Sequence, residues 1–201
     1  MSDDQYFAAN PASGFKPKII KVRLAGRDLE LITAGGTFSP DHLDTGTAAL
    51  LTHLDQAPDS GNLLDIGCGW GPIAIALGLQ NPKATVWAID VNERALELTR
   101  TNVERLGLTN VRVCLPGEVP ANLEFTGIWS NPPIRVGKAV THEILEAWLP
   151  RLAAECEAYL VVAKSLGADS LLSWLQTTFG DLHCERIDTE KGFRILRLAR
   201  L

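Results

Sequence analysis

The chain reads as an α/β protein with a mostly parallel sheet and helices on both faces. Three observations carry that reading. From residue 62 onward, short apolar runs alternate with stretches of helical spacing, the pattern of consecutive βα units. The first run, Leu64-Asp65-Ile66, opens into Gly67-Cys68-Gly69-Trp70-Gly71-Pro72, with three glycines at alternate positions before a helix-like stretch. The next run, Thr85-Val86-Trp87-Ala88-Ile89, ends on Asp90. That acid lies roughly 20 residues past the glycine loop, where a carboxylate is placed to accept from ribose hydroxyls.

Taken in order, residues 1–17 are expected to be a flexible N-terminus and residues 18–201 a single domain. Lys18 to Leu24 and Leu29 to Thr33 read as strands around a hairpin-like turn, Ala25-Gly26-Arg27-Asp28. Ala34 to Pro40 is a loop, and a helix is expected over 43–54. Strand 62–66 precedes helix 72–80, with Pro72 suited to a first turn. Strand 84–89 precedes helix 93–106, which Gly107 stops. Strands 110–115 and 124–129 follow. Ile144, Leu145, Trp148, Leu149 and Leu152 set a helix over 139–154. Tyr159 to Ala163 is a buried strand before helix 168–178. His183 to Asp188 and Phe193 to Leu198 read as a terminal hairpin around Glu190-Lys191-Gly192.

Composition narrows the class. At 201 residues, 46% hydrophobic and 21% charged, the chain is of ordinary globular make-up and long enough to bury a real core. Cys68, Cys114, Cys156 and Cys184 are widely spaced, with no metal-ligand spacing, so free thiols in a reducing cytoplasm and no metal are expected. No apolar run reaches membrane length, and the polar start Met1 to Asn10 is unlike a signal peptide. The net charge of −5 argues against non-specific coating of nucleic acid. Lys16, Lys18, Lys21, Arg23 and Arg27 nonetheless form a local cationic run. It reads either as the solvated face of a hairpin or as a phosphate-contacting patch.

The glycine spacing is D-x-G-x-G-x-G. The dinucleotide fingerprint would need its third glycine at position 72, which is Pro72. Without Cβ atoms at Gly67, Gly69 and Gly71, a ligand can approach the backbone closely, and the following helix brings unpaired N–H groups to the loop. The third motif is Ile128-Trp129-Ser130-Asn131-Pro132-Pro133-Ile134. Alone, N-P-P is a common turn; at the end of a strand following the glycine loop it suits catalysis. Asn131 offers a side-chain carbonyl. The prolines lack N–H donors and hold the preceding residues extended, so rigid carbonyls face whatever binds there. Such acceptors would help an exocyclic amine on a base, a poor nucleophile, to pyramidalise and bear positive charge.

The ordered set resembles class I S-adenosylmethionine-dependent methyltransferases of the amino-methylating kind. The likeness goes further. Asn131-Pro132-Pro133-Ile134-Arg135-Val136-Gly137-Lys138 is similar to the N-P-P-F-H-x-G-K stretch of the ribosomal RNA guanine-N2 methyltransferases, the small-subunit (16S, m2G) enzymes and their archaeal single-domain relatives. Gly36-Thr37-Phe38-Ser39-Pro40 with Leu43-Asp44-Thr45-Gly46-Thr47 resembles the family's G-x-F-S…L-D-x-G-T segment, and the opening hairpin and the ending Gly192-Phe193-Arg194-Ile195-Leu196 are similar too. The likeness spans about residues 18–198. Three departures stand out: Ile134 for an aromatic that can stack on a flipped base, Arg135 for His, and Glu155-Cys156-Glu157 for a customary Gly-Gly.

The resemblance implies a Rossmann-like fold with a seven-stranded, mostly parallel sheet, an antiparallel last strand and an N-terminal hairpin. It implies S-adenosyl-L-methionine as cofactor. Asp65 would anchor the methionine end, Gly67, Cys68 and Gly69 would line the methionine and ribose, and Asp90 with Val91 would hold the ribose. Glu118 would flank the adenine, and Phe38 and Thr47 would cap the cofactor, which Asn131 also meets. Asn131, Pro132 and Pro133 would be catalytic, with Ile134, Arg135 and Lys138 toward substrate. The expected partner is RNA, ribosomal and accepting a methyl on guanine N2, in the cytoplasm and away from membranes. Two alternatives stay open: N6-adenine or protein glutamine N5 methylation on the same fold, or a silent RNA-binding module.

Overall fold

A computed structural model of the chain describes residues 16–201; the expected flexible N-terminus falls largely outside them. A two-stranded hairpin comes first, β1 (Pro17–Leu24) and β2 (Arg27–Ala34). Ala25 and Gly26 both sit at positive φ, 47° and 74°, so the turn is a two-residue hairpin loop with both central residues left-handed. The turn is thus two residues shorter than the sequence suggests, and β2 starts at Arg27.

The main sheet contains β3 (Ser60–Ile66), β4 (Lys83–Ile89), β5 (Val111–Cys114), β6 (Phe125–Ser130), β7 (Leu152–Ala163), β8 (Leu182–Glu190) and β9 (Phe193–Arg200). Their order is β5-β4-β3-β6-β7-β9-β8, and only β9 runs against its neighbours. The helices are α1 (Thr45–Leu51), α2 (Pro72–Gln80), α3 (Glu93–Arg105), α4 (Lys138–Trp148) and α5 (Ala168–Thr178). The expected seven-stranded sheet with an antiparallel last strand and an N-terminal hairpin is the observed fold.

Strand alternation divides the core in two. On one face Leu63, Trp129, Tyr159 and Val161 pack with Ile20, Leu24 and Leu31 of the hairpin and with α1, α2 and α3. On the other, Leu64, Ile128, Leu160 and Val162 pack with Leu145 and Trp148 of α4 and with Leu171 and Leu175 of α5. The hairpin is therefore part of the fold. Asn102, buried in α3, clamps it: Ile32 N–H donates to Asn102 Oδ1 at 2.7 Å, and its amide donates to the carbonyls of Ile32 and Trp70.

Two helices are shorter than their apolar spacing suggests. The 43–54 stretch is helical only from Thr45 to Leu51, followed by a 3-10 turn at Leu54–Gln56. The 139–154 stretch stops at Trp148, because Pro150 cannot continue the hydrogen-bond ladder, and β7 already begins at Leu152. Between Phe125↔Leu152 and Gly127↔Glu157 the pairing of β6 and β7 slips. Glu155 bulges there at φ 57°. A glycine would adopt that left-handed conformation freely, whereas a β-carbon there costs on the order of 1 kcal/mol.

Candidate active site

The C-terminal tips of the parallel strands meet around a cavity of about 470 Å³, where open α/β sheets bind ligands. Gly67 and Gly69 line it at φ 75° and 59°. A Cβ built on either glycine would meet no atom within 4 Å; their faces are open cradle. Gly71, also at positive φ, differs: its Cβ would lie 2.9 Å from Thr99 Cγ2, so that glycine serves the packing of α3. The loop is tied to β4 by Gly67 and Cys68 N–H groups, which both donate to Ile89 O at 2.9 Å.

Asp90 and Val91 line the cavity just beyond β4. Gly69 N–H donates to Asp90 Oδ2 at 3.0 Å and Asn92 N–H to Oδ1 at 2.9 Å. Each oxygen keeps acceptor capacity for a further donor. Burial pushes this carboxyl up from the ordinary range, and the backbone donors of Asn92, Gly69 and Val91 oppose that. Asn92 caps α3 by accepting from Arg94 and Ala95 N–H, while its amide donates to Gly36 O. That bond fastens the loop after β2 to the ribose-side corner. Phe38, 41% exposed, lines the cavity from this loop, and Trp70 Nε1 donates to Ser39 O at 3.2 Å.

Asn131, Pro132, Pro133, Ile134 and Arg135 line the same cavity from the tip of β6, the strand next to β3, with Thr47 of α1 beside them. The Asn131 amide donates to Asp44 Oδ2 at 2.9 Å and to Thr47 Oγ1 at 3.1 Å. The proline carbonyls are less free than the sequence suggests. Pro132 O accepts from Ile134 N–H at 2.8 Å, and Pro133 O accepts from Val136 N–H and Thr141 Oγ1, both at 3.2 Å.

Three expected site residues lie outside the lining. Asp65 is wholly buried on the α2 face of the sheet, the parity of Leu63, and Ala74 N–H donates to its Oδ2 at 2.9 Å. Its Oδ1 is buried without a partner among the described residues. Desolvation, helped by the Asp90 charge, pushes its carboxyl up to about 8. Glu118 turns back to accept from Leu115 N–H at 2.7 Å, capping a 3-10 turn, and Pro116 faces the cavity in its place. Lys138 opens α4 in solvent, 3.4 Å from Ser170 Oγ. Conversely, Asp44, His42, Trp148 and Phe193 line the cavity without having been assigned a site role. Asp44 and Phe193 both lie in the stretches that resemble the family, and Asp44 is an N-cap type of residue ahead of the apolar run that starts at Ala48.

These residues fit S-adenosylmethionine. The glycine faces leave room against the backbone, and Asp90 retains lone pairs for hydroxyl donors. An open glycine cradle, a cavity-facing acid just beyond the next strand and an N-P-P corner at the tip of the neighbouring one define a class I methyltransferase.

The chain belongs to the methyltransferase small domain family, which matches residues 28–197. It is 32% identical to the uncharacterized protein YbxB of Bacillus subtilis over 98% of this chain and 99% of that one. It is 34% identical to ribosomal RNA small subunit methyltransferase C of Ectopseudomonas mendocina over 96% of this chain. The chain spans 57% of that relative's length. In fold it is similar to a Thermus thermophilus 16S rRNA N2 methyltransferase solved with AdoMet and guanosine, with a TM-score of 0.78 and 19% identity over 96% of this chain and 53% of that one.

Proposed function

We propose that the protein uses S-adenosyl-L-methionine to methylate the exocyclic N2 amine of a guanine in small-subunit ribosomal RNA, in the cytoplasm. One observation carries this reading: Asn131 lines the same cavity as the glycine cradle and Asp90, at the tips of three adjacent parallel strands. The relatives named small subunit methyltransferase C support the choice of acceptor.

When bound, the cofactor supplies a methyl group activated on a sulfonium. Gly67 and Gly69 would let it lie against the backbone, Asp90 would accept from its ribose hydroxyls, and Phe38 would cover it from the loop after β2. Asn131 Oδ1 would accept from the guanine amine and so orient it. The amine's surplus proton would pass to solvent, so no strong base is required of the lining residues. Most of the acceleration lies in this alignment. The target base is unpaired or flipped, because its amine is engaged in a duplex. Ile134 packs against it as an apolar wall in place of an aromatic.

The cationic hairpin contributes less to RNA binding than its sequence suggests. Lys18 pairs with Asp41 of the loop after β2, and Lys21 with Glu30 at 3.8 Å and Arg23 with Asp28 at 3.0 Å across the hairpin, so acids offset three of the five charges. Contacts to phosphate fall instead to Arg135 and Lys138 beside the N-P-P corner.

The deciding experiment is nucleoside mass spectrometry of ribosomal RNA from cells with and without the gene, paired with labelled methyl transfer to that RNA by the purified protein. Loss of one N2-methylguanosine is the expected result. Loss of N6-methyladenosine, or an unchanged RNA beside a methylated protein, overturns the choice of acceptor.

A further inference from the structure

The cavity contains a carboxylate that the roles above leave unused. Asp44 is the N-cap of α1, and its Oδ2 accepts from Thr47 N–H at 2.9 Å. The same oxygen accepts from the Asn131 amide at 2.9 Å, across a sequence separation of 87 residues. Thr47 Oγ1 takes a second contact from that amide at 3.1 Å. Among the described residues, no donor meets Asn131 Oδ1.

We propose that Asp44 is a positioning residue that fixes which end of the Asn131 amide faces the substrate, an inference that rests on the proposed methyl transfer to an amine. A primary amide is nearly symmetric in shape, and its two orientations are separated only by the bonds they make. Next to an ordinary polar neighbour Asn131 could turn over and present its NH2 to the cavity, a donor that would repel an incoming amine. An ionised carboxylate removes that freedom, because it can only accept. Turning the amide would set Oδ1 against Asp44 Oδ2 with no proton between them and leave a charged acceptor unsatisfied. Asp44 and Thr47 together take both amide hydrogens, so Oδ1 stays aimed into the cavity. Donation to a carboxylate also polarises the amide and strengthens Oδ1 as an acceptor, which matches the positive charge that grows on the amine nitrogen.

The arrangement also explains the place of α1. This seven-residue helix packs on the sheet with Gly46, Thr47, Ala49 and Leu50 buried. Gly46 lies under the Phe193 ring, where a Cβ would fall 2.6 Å from Cε1. The N-cap is thereby pressed against the N-P-P corner, and the acid that starts the helix reaches the catalytic asparagine of a distant strand.

The test is a double-mutant cycle on kcat, KM and cofactor Kd with purified protein and ribosomal RNA. Asp44→Asn keeps a capping oxygen for Thr47 N–H, so the helix start survives, but its own amide can turn and lets Asn131 turn with it. It is expected to lower kcat by about 10- to 100-fold, the scale seen when a partner that orients a reacting group is lost. KM and cofactor Kd are expected to stay within about twofold of wild type. In an Asn131→Ala background the same change is expected to have no further effect, since a residue acting through Asn131 has nothing left to orient. Equal loss in both backgrounds, or an unchanged kcat in Asp44→Asn, overturns the proposal. Side-chain amide resonances of the labelled protein give an answer independent of turnover. Both Asn131 amide protons are expected to be exchange-protected and shifted by their hydrogen bonds in the wild type, and to lose that protection and move toward solvent-exposed shifts in Asp44→Asn. If that signature is present and no guanine is methylated, the choice of acceptor fails and the positioning stands; if guanine is methylated and the signature is absent, the positioning fails alone.

Discussion

Asp65 and Asp90 lie at the ends of neighbouring parallel strands, and both look like ligand acids when written out. In three dimensions they part company. Asp90, one residue beyond β4, turns into the cavity with each oxygen held by one backbone N–H. Asp65, one residue before the end of β3, obeys strand alternation and points to the α2 side, fully buried, with one oxygen on Ala74 N–H and the other unpartnered. A small difference in position relative to the strand end separates an acid that faces the cavity from one buried on the α2 side of the sheet.

The largest effect that can break this contrast is on cofactor affinity. Asp90→Ala removes the hydroxyl acceptor and releases Gly69 and Asn92 N–H, so S-adenosylmethionine is expected to bind on the order of 100-fold more weakly, about 3 kcal/mol. Asp65→Asn keeps an acceptor for Ala74 N–H and removes no group that lines the cavity, so it is expected to weaken binding less than tenfold. Calorimetric titration of the two variants side by side checks this; equal losses would put both acids in the same role.

Asp65 has a second, sharper signature in the cofactor-free protein. Its carboxyl is raised to about 8 in the fold, against about 4 in an unfolded chain. Across that window the folded state holds a proton that the unfolded state has released. Stability from this group is therefore full below about pH 4, declines as pH rises, and levels off above about 8. Asp90 is shifted in the same direction, so the decline belongs to both acids. Urea unfolding between pH 5 and 8 is expected to show a shallower decline in Asp65→Asn than in the wild type. Parallel curves for the two proteins would mean that Asp65 is ionised as it stands.

How much of this was legible beforehand follows the same logic. Elements set by a strong period or a punctuating residue were readable: helix 72–80 matches Pro72–Gln80, and the strands ending at Ile66 and Ile89 end there. Apolar spacing overran where a local breaker won, as at Pro150, and missed the early part of β7, whose bulge at Glu155 interrupts its pattern. The cradle and the N-P-P corner could be read because glycine and proline act through the backbone at their own positions. The Asp44–Asn131 contact could not, because it joins residues 87 positions apart and exists only once α1 has packed on the sheet. The burial of Asp65 on the α2 side was not legible, because its neighbours in sequence give its strand and not which face α2 covers.

Glu118 supplies the smallest effect and the cleanest control. It is an acid near a strand end, as Asp65 and Asp90 are, and the family resemblance implies a place beside the adenine. Its carboxylate, however, accepts from Leu115 N–H at 2.7 Å and closes its own short turn. A carboxylate committed to its own backbone three residues away has little reason to leave it for a ligand, since leaving would strand that N–H. Glu118→Ala is expected to change cofactor affinity by less than twofold and to cost about 1 kcal/mol of stability through the lost cap. A tenfold loss of affinity with unchanged stability would mean that the turn opens on binding and that Glu118 joins Asp90 among the acids that touch the ligand.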